Sequence, residues 1–347
     1  MAEPARTAVV LLNLGAPDGP PAVRPFLFNL FNDPAIIGLP AVLRWPLARF
    51  IVARRAKLAA EIYRGLGGGS PLLANTEAQA RALDAALGGE AEYRVFIAMR
   101  YWHPLSAEAA REVAAWRPAR VVLVPLYPQF STTTTGSSLA AWRRAAMVAG
   151  IDAPTASLCC YPAAAGVIGA HARLVRRELD KADGARILFS AHGLPERVVA
   201  RGDPYRWQIE RTAAAIAAAA RLDDWVVCYQ SRVGPLEWIG PSTEDEIHRA
   251  GRDGVPVVVV PIAFVSEHSE TLYELDVLYR GVAKGAGVPG YYRVPALGAD
   301  AEFIAALAAL VRGAVAAEET VSEVRGRLCP RGLAGCPHRG PLAEEGG

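Results

Sequence analysis

Length, composition and charge narrow the class of protein. The chain has 347 residues, 52% of them hydrophobic, and a formal net charge of +2 from 37 basic and 35 acidic side chains. This balance gives no electrostatic case for nucleic-acid binding, and the length suits two α/β domains with substantial cores.

Short apolar, β-branched runs alternate with helical stretches along the chain. The predicted strands are Ala8–Leu14, Arg94–Met99, Arg120–Tyr127, Arg186–Ser190, Trp225–Gln230 and Val255–Phe264. The predicted helices are Glu77–Leu87, Pro104–Trp116, Val167–Leu179, Tyr205–Arg221 and Ala301–Ala316. Strands that are apolar at nearly every position are typical of parallel sheets covered by helices.

A faint internal repeat indicates two α/β lobes of similar build with a cleft between them. The segment 121–131 resembles 257–267, and 11–17 loosely echoes 188–195. The predicted domains are an N-terminal lobe, a C-terminal lobe and a cysteine-containing tail, with bounds 1–155, 156–318 and 319–347.

Cysteine usage and the start of the chain set the expected compartment. Five cysteines are an odd number, which argues against a secreted disulfide framework. The N-terminus lacks a signal-peptide layout, and no run reaches the ~18 apolar residues of a spanning helix. We expect a cytoplasmic protein, with peripheral membrane contact open because the segment 43–58 alternates apolar and basic residues.

The run SEHSETLYELD, residues 266–276, directly follows an apolar predicted strand. An α-helix beginning here would carry Glu267, Glu270 and Glu274 on one face, where like charges cost roughly a few tenths of a kcal/mol per pair. A divalent metal ion, protons in transit or an arginine would offset that charge. His268 beside Glu270 favours the first two, and a solvated helix face is the alternative.

His192 is a second candidate site residue, because it follows the predicted strand Arg186–Ser190. Parallel sheets present functional groups beyond the carboxyl ends of their strands, and the loop with Gly193 and Pro195 lies at such an end. Imidazole titrates near neutral pH, so His192 is a candidate proton acceptor, with an ordinary surface histidine as the alternative.

Residues after other strands are candidate substrate contacts. Trp238 lies between two Gly-Pro turns, which can wall a pocket for a flat apolar ligand, although a packed loop is the alternative. Arg100 and Tyr101 follow a strand of the other lobe, where the guanidinium suits a carboxylate. Ser131 opens STTTTGSS, which can cap a helix or bind an anion but lacks a dinucleotide glycine pattern.

Four cysteines fall outside the predicted strands. Cys159 and Cys160 are adjacent, and Cys329 and Cys336 lie in the tail, whereas Cys228 lies within a strand and is expected in the core. Four thiolates can hold a [2Fe–2S] cluster or zinc, but these spacings match no standard ligand pattern. Free structural thiols are the alternative.

Taken together, these segments resemble the ferrochelatase family. The resemblance covers most of the chain, in family order, through LLNLGAPDGPPAVRPFLFNLFNDPAII, GGGSPL, RYWHP, YPQFSTTTTGSSL, FSAHGLPERVVARGDPY, QSRVGPLEWIGPSTEDEI and PIAFVSEHSETLYELD. It implies two Rossmann-like lobes with parallel four-stranded sheets and a porphyrin in the cleft. The implied activity is insertion of ferrous iron into protoporphyrin IX, a lyase reaction that ends haem biosynthesis.

The resemblance also implies roles for the site residues. His192 and Glu270 correspond to the family's active-site pair, as proton acceptor or iron ligands. Glu267, His268 and Glu274 would then form a path for protons or metal.

For the cysteines, the resemblance leaves two outcomes open. Some family members carry a [2Fe–2S] cluster on one internal and three C-terminal cysteines, whereas this chain has two in its tail. The fourth ligand would be Cys160 or His338, or no cluster forms.

Two alternatives to protoporphyrin ferrochelation stay open. One keeps the chemistry but changes the substrate to coproporphyrin III or, with cobalt, to a corrin precursor. The other is a non-catalytic two-lobed carrier of porphyrin or metal, which gives no reason for proton-handling groups in both motifs. Neither a monomer nor a dimer is predicted.

Overall fold

The computed structural model describes residues 6–88, 93–232, 234, 236–317, 319–338, 340 and 342. These residues form two compact units. The first comprises the residues up to Leu126 with Ser131–Cys159 and Val311–Thr320, and the second comprises Tyr127–Phe130, Cys160–Leu310 and the residues from Val321 onward. The first unit therefore extends past the predicted boundary at 155, because Thr155–Leu158 is a strand of its sheet.

Nine strands form two sheets within the described ranges. They are β1 (Thr7–Asn13), β2 (Tyr93–Met99), β3 (Arg120–Pro125), β4 (Thr155–Leu158), β5 (Arg186–His192), β6 (Trp225–Gln230), β7 (Val257–Pro261), β8 (Tyr291–Arg293) and β9 (Thr320–Val321). The first sheet has the order β2-β1-β3-β4-β9, and the second has the order β6-β5-β7-β8. Parallel pairing of β1 with β2 and β3, and of β5 with β6 and β7, confirms the predicted α/β class. The first sheet has one short strand more than the four expected.

Helices connect these strands and pack on the sheets. They are α1 (Val23–Phe31), α2 (Ala41–Gly65), α3 (Leu72–Leu87), α4 (Ser106–Trp116), α5 (Thr135–Val148), α6 (Ala165–Leu179), α7 (Glu196–Ala200), α8 (Tyr205–Ala220), α9 (Thr243–Asp253), α10 (Arg280–Gly285) and α11 (Ala301–Val315). A 3-10 turn lies at Pro20–Ala22 and a π-helix at Glu270–Tyr279. None of the described helices is both long and apolar enough to cross a membrane.

The core of the second unit anchors the π-helix. Leu188 of β5 and Val259 of β7 pack in one buried cluster with Ile247 of α9 and with Leu275 and Tyr279 of the π-helix. Burying an aliphatic side chain of this size stabilises the fold by roughly 1.5–3 kcal/mol. One side of the π-helix is therefore fixed in the core, which leaves another side for polar groups.

Candidate active site

The segment after β7 forms a π-helix from Glu270 to Tyr279 instead of the predicted α-helix. A π-helix has i→i+5 hydrogen bonds, is rare in proteins and frequently occurs at functional sites. Glu270 and Glu274 both lie at the carboxyl end of β6, where the Gln230 amide donates to the backbone oxygen of Glu270 and to the carboxylate of Glu274. The site is thus built where parallel strands end.

Two imidazoles flank the Glu270 carboxylate. His192 Nε2 lies 3.8 Å from Glu270 Oε1, and His268 Nε2 lies 3.7 Å from Glu270 Oε2. The side chains of His192 and Glu270 are 38% and 27% exposed. The structure therefore brings together three predicted site residues from two separate motifs and leaves two of them accessible to a ligand.

Backbone carbonyls orient both imidazoles. Nδ1 of His192 lies 2.6 Å from the Gly193 oxygen, and Nδ1 of His268 lies 3.1 Å from the Ser266 oxygen. A carbonyl can only accept, so the hydrogen-bond network assigns a proton to each Nδ1. Nε2 of each ring then faces the Glu270 carboxylate, with a lone pair when the ring is neutral and with an N–H when the ring is cationic. A proton or a metal ion between these groups makes the arrangement favourable.

The two carboxyls of the π-helix have pKa values shifted in opposite directions. Burial raises the pKa of Glu270, but the positive charges that His192 and His268 carry when they are protonated outweigh burial and lower that pKa to about 2. Burial, followed by the charge of Glu270, raises the pKa of Glu274 above its usual value. Pairs of groups with separated pKa values are typical of acid–base sites. Of the two carboxyls, Glu274 takes up a proton first.

Neutral donors surround Glu274. The Ser231 N–H and hydroxyl donate to it at 2.8 and 2.5 Å, the Gln230 amide at 3.1 Å, and the Tyr279 hydroxyl at 3.2 Å. Gln230 and Ser231 were not predicted as site residues, although their position at the end of a strand was a signal for them. Tyr279 offered no such signal, because its hydroxyl reaches the site only through the π-helical geometry.

Glu267 lies apart from the other two glutamates. Its Oε1 accepts from Arg293 Nη1 at 2.7 Å and from the Ala296 N–H at 2.9 Å. The prediction that Glu267, Glu270 and Glu274 share one helix face is therefore wrong. The π-helix begins at Glu270, so Glu267 stays in the preceding loop, and its positive partner is an arginine.

Trp238 borders the loop that follows His192. It pairs with Pro195 in an isolated antiparallel bridge. A β-carbon at Gly193 would lie 3.0 Å from the Gln230 oxygen and 3.3 Å from the Trp238 ring, so only glycine fits without a shift. The Trp238 indole N–H is buried and has no hydrogen-bond partner among the described residues. An aromatic ring with an unused donor thus lies in the same unit as His192.

The residues of the first unit that were predicted to contact the substrate are hydrogen-bonded to other side chains or buried within the protein. Arg100 donates to Asp33 and to Ser137, both at 2.7 Å. The hydroxyl of Tyr101 donates to Asp33 at 2.7 Å, and both Tyr101 and Ser131 are fully buried. Neither Tyr101 nor Ser131 presents a surface to a substrate, so the structure does not support that prediction for them. Sequence position after a strand did not reveal this burial.

Three of the predicted cluster cysteines meet in the second unit. Cys329 Sγ accepts from the Gln208 amide at 3.1 Å. Hydrogen bonds with Cys160 and then Cys336 lower the pKa of the Cys329 thiol far below its usual value. Two of these thiols therefore stabilise a thiolate on the third.

The described residues do not assemble a complete set of cluster ligands. Nδ1 of His338, one of the candidate fourth ligands, accepts the Gly340 N–H at 3.1 Å. Cys228 is buried within β6, where burial raises its pKa to about 12. Across the described ranges, no group of three or more His, Cys, Asp or Glu side chains is arranged to hold a metal ion. This donor set does not complete a [2Fe–2S] site, which takes four ligands.

Comparison with known proteins links this geometry to one family. The family model described as ferrochelatase matches residues 6–315. A ferrochelatase from Caulobacter vibrioides is 56% identical over 342 residues, which are 96% of this chain and 98% of that protein. A ferrochelatase from Phenylobacterium zucineum is 57% identical over 317 residues, which are 89% of this chain and 92% of that protein.

Solved structures show the same fold at low sequence identity. SirB from Bacillus subtilis, determined with Fe3+, has a TM-score of 0.53 and 12% identity, with 90% of this chain and 96% of SirB covered. CbiX, the terminal enzyme for siroheme biosynthesis in denitrifying bacteria, has a TM-score of 0.50 and 17% identity, with 90% and 100% covered. From its sequence relatives and the matched family model, the chain belongs to the ferrochelatase family, the enzymes that insert ferrous iron into porphyrin in haem synthesis.

Proposed function

We propose that this protein inserts ferrous iron into protoporphyrin IX to form protohaem, using His192, Glu270, His268 and Glu274. The observation that carries the proposal is the Glu270 carboxylate between two imidazole Nε2 atoms. The reaction removes two pyrrole protons and places a dication in the ring. A site for it needs proton acceptors and cation-binding groups within a few ångströms of one another, which this arrangement supplies.

His192 is the proposed acceptor of a pyrrole proton. Its Nδ1 is held by the Gly193 carbonyl, so Nε2 is the basic atom of the neutral ring. When Nε2 takes the proton, the pyrrole nitrogen keeps the electron pair and the imidazole becomes cationic. The ionised Glu270, 3.8 Å away, stabilises that cation, although solvent screens part of the attraction because the His192 side chain is 38% exposed.

Glu270 and Glu274 are the proposed path for protons or iron. Glu270 stays ionised, whereas the raised pKa of Glu274 suits a group that takes up a proton and releases it. Imidazole nitrogen and carboxylate oxygen also suit ferrous iron. Ligand bonds of about 2.1 Å to each would span 3.8 Å at a bent angle, so one Fe2+ ion can bind His192 and Glu270 together.

Trp238 is the proposed contact for the porphyrin ring. Its indole lies against the Gly193 loop, and a large aromatic surface favours stacking with a flat macrocycle. In the first unit, Arg100 is 16% exposed and already paired with Asp33, so we assign it to positioning that loop region instead of binding a propionate.

Helix α2 supports a proposal of peripheral contact with the inner face of a membrane. Its exposed apolar side chains are interspersed with arginines, and Arg49 and Arg54 lie 4.8 and 5.0 Å from the rings of Trp45 and Phe50. Such a surface suits the boundary between headgroups and acyl chains of anionic lipid. Sedimentation with vesicles of anionic and neutral lipid, before and after Trp45→Ser, tests this contact.

No step of the proposed reaction passes through an iron–sulfur cluster. Cys160, Cys329 and Cys336 would supply three of its ligands. Visible absorption with iron and sulfide analysis of the anaerobically purified protein decides whether the chain holds a cluster. Activity assays on the same preparation then show whether insertion depends on it.

An anaerobic insertion assay with ferrous iron, run on protoporphyrin IX and coproporphyrin III side by side, tests the function. We expect turnover with protoporphyrin IX at a higher kcat/KM than with coproporphyrin III. The opposite order would assign the protein to the coproporphyrin reaction. Tight porphyrin binding without insertion of either ring would make it a carrier, although a carrier has no need of carboxyls with separated pKa values.

A further inference from the structure

We propose that Arg293 is a positioning residue of the metal-insertion reaction. It holds the segment 267–276, which carries Glu270 and Glu274, at both of its ends. Arg293 lies at the end of β8. Its Nη1 donates to Glu267 at 2.7 Å, while Nε and Nη2 donate to the two oxygens of Asp276 at 2.8 and 2.7 Å. One guanidinium therefore joins two carboxylates through three hydrogen bonds.

The two carboxylates lie on either side of the site residues in the chain. Glu267 immediately precedes His268, and Asp276 follows Glu274, so every site residue of this segment lies between them. The Arg293 side chain is only 12% exposed, and its pair with Asp276 is bidentate. Paired, charge-assisted bonds of this kind fix orientation as well as distance.

The π-helix depends on such tertiary contacts. Its i→i+5 bonding is uncommon, and a short helix has little stability of its own. On the β8 side, the Tyr291 hydroxyl also donates to the Leu275 oxygen at 2.7 Å. On the β6 side, the Gln230 amide donates to the Glu270 oxygen at 3.0 Å. Of the three side chains Tyr291, Gln230 and Arg293, the Arg293 guanidinium is the one that bonds to both ends of the segment.

Arg293 pairs with two of the four carboxylates of this segment, which leaves the other two for the reaction. It neutralises Glu267 and Asp276, whereas neither Glu270 nor Glu274 forms an ion pair with arginine or lysine among the described residues. The negative charge that faces His192 therefore comes from the two π-helical glutamates. A cation entering the site meets these two and not the outer pair.

Kinetics of Arg293→Gln and Arg293→Lys test the positioning role of Arg293. We expect Arg293→Gln to lower kcat by roughly 10- to 100-fold, as expected for residues that orient metal ligands, while the porphyrin dissociation constant changes less than about 2-fold. Lysine restores the charge but not the bidentate geometry, so Arg293→Lys should recover little of the kcat. The matched control is Arg81→Gln, because Arg81 is 73% exposed and lies 4.0 Å from Glu77 on the same helix, outside this segment. It should leave kcat unchanged.

A triple variant separates positioning from stability. Arg293→Gln removes the arginine that both partly buried carboxylates share and can destabilise the protein, whereas Glu267→Gln, Asp276→Asn and Arg293→Met together remove all three charges. If Arg293 positions the segment, the triple variant recovers the melting temperature but keeps a low kcat. Recovery of kcat together with the melting temperature would overturn the proposal, as would wild-type kcat in Arg293→Gln.

The inference rests on the proposed roles of Glu270 and Glu274, so Glu270→Gln is assayed in parallel. An active Glu270→Gln protein removes the proposed function. An inactive Glu270→Gln protein beside a fully active Arg293→Gln protein contradicts only the positioning role of Arg293.

Discussion

His192 Nε2 and Glu270 Oε1 face each other across 3.8 Å, although they come from motifs far apart in the chain. The separation is too long for a direct hydrogen bond, and it leaves room for a metal ion bound to both groups. Because β5 delivers the imidazole and the π-helix delivers the carboxylate, the two groups can be varied independently.

Substitution of His192 by alanine should abolish iron insertion without loss of porphyrin binding. The variant removes the Nε2 atom that accepts the pyrrole proton, while Trp238 and its loop stay in place. Insertion assays and quenching of tryptophan fluorescence by porphyrin measure the two properties separately.

The matched control for that variant is His248→Ala. His248 lies on α9, is 47% exposed and lies 4.0 Å from Glu244 one turn earlier on the same helix, so its loss should leave turnover unchanged. Substantial turnover by purified His192→Ala would remove His192 from the mechanism.

Substitution of Glu270 by glutamine should lower kcat by roughly 100-fold or more, because removing one group that stabilises developing charge in an active site costs a factor on that scale. The KM for porphyrin should change little, since Glu270 acts on the cation and the proton and not on the ring. Steady-state kinetics with both substrates varied measure this. An effect confined to the KM for porphyrin would assign Glu270 to binding instead.

Several site residues followed from sequence pattern because parallel strands end at one edge of a sheet. His192 and Glu270 are of this kind. The face assigned to Glu267 was wrong because α-helical spacing does not hold across the start of a π-helix. Arg293 was missed because it acts through pairing with residues distant in the chain. The residues next to Tyr101 in RYWHP gave no sign that this side chain would be buried with its hydroxyl bonded to Asp33.

Most strands were predictable from the sequence, whereas helix α9 and strand β4 were not. Continuous apolar runs such as Val257–Pro261 mark buried parallel strands, and they were found. Helix α9 was missed because TEDEIHRAGRD is mostly polar, and Ser242, which accepts the Asp245 N–H, is its main start signal. Strand β4 was missed because a short strand within a turn-rich stretch has no distinctive pattern.

Activity should fall at low pH through protonation of Glu274. Burial and then the charge of Glu270 raise the pKa of Glu274, so it protonates at a higher pH than an ordinary glutamate of about 4.3. If the ionised form accepts protons from the ring, kcat is full above the raised pKa and is lost as pH falls through it. Glu274→Gln should lower kcat and remove this acid limb from the pH profile.

The profile of Glu274→Gln is compared with that of Tyr279→Phe. Tyr279→Phe removes one hydrogen bond to Glu274 at 3.2 Å but keeps the carboxyl, so the acid limb should remain. An unchanged acid limb in Glu274→Gln would assign the titration to another group.

Protonation of His171 should destabilise the second unit in mild acid. His171 on α6 is buried, neither ring nitrogen has a hydrogen-bond partner among the described residues, and burial lowers its pKa to about 4. An unfolded histidine titrates near ~6.5, so the unfolded chain binds more protons between these values. Stability is therefore fully present above about pH 6.5 and is lost as pH falls toward 4.

Urea unfolding of the wild type and of His171→Leu at about pH 7.5 and about pH 5 measures this loss. Leucine fills a similar volume and cannot take up a proton, so the free energy of unfolding should fall by about 2 kcal/mol less in the variant over that range. His248→Leu is the control, because an exposed histidine should leave the wild-type pH dependence in place. Equal losses in the wild type and in His171→Leu would show that His171 is not the group that titrates. In that case another buried group would have to account for the acid sensitivity.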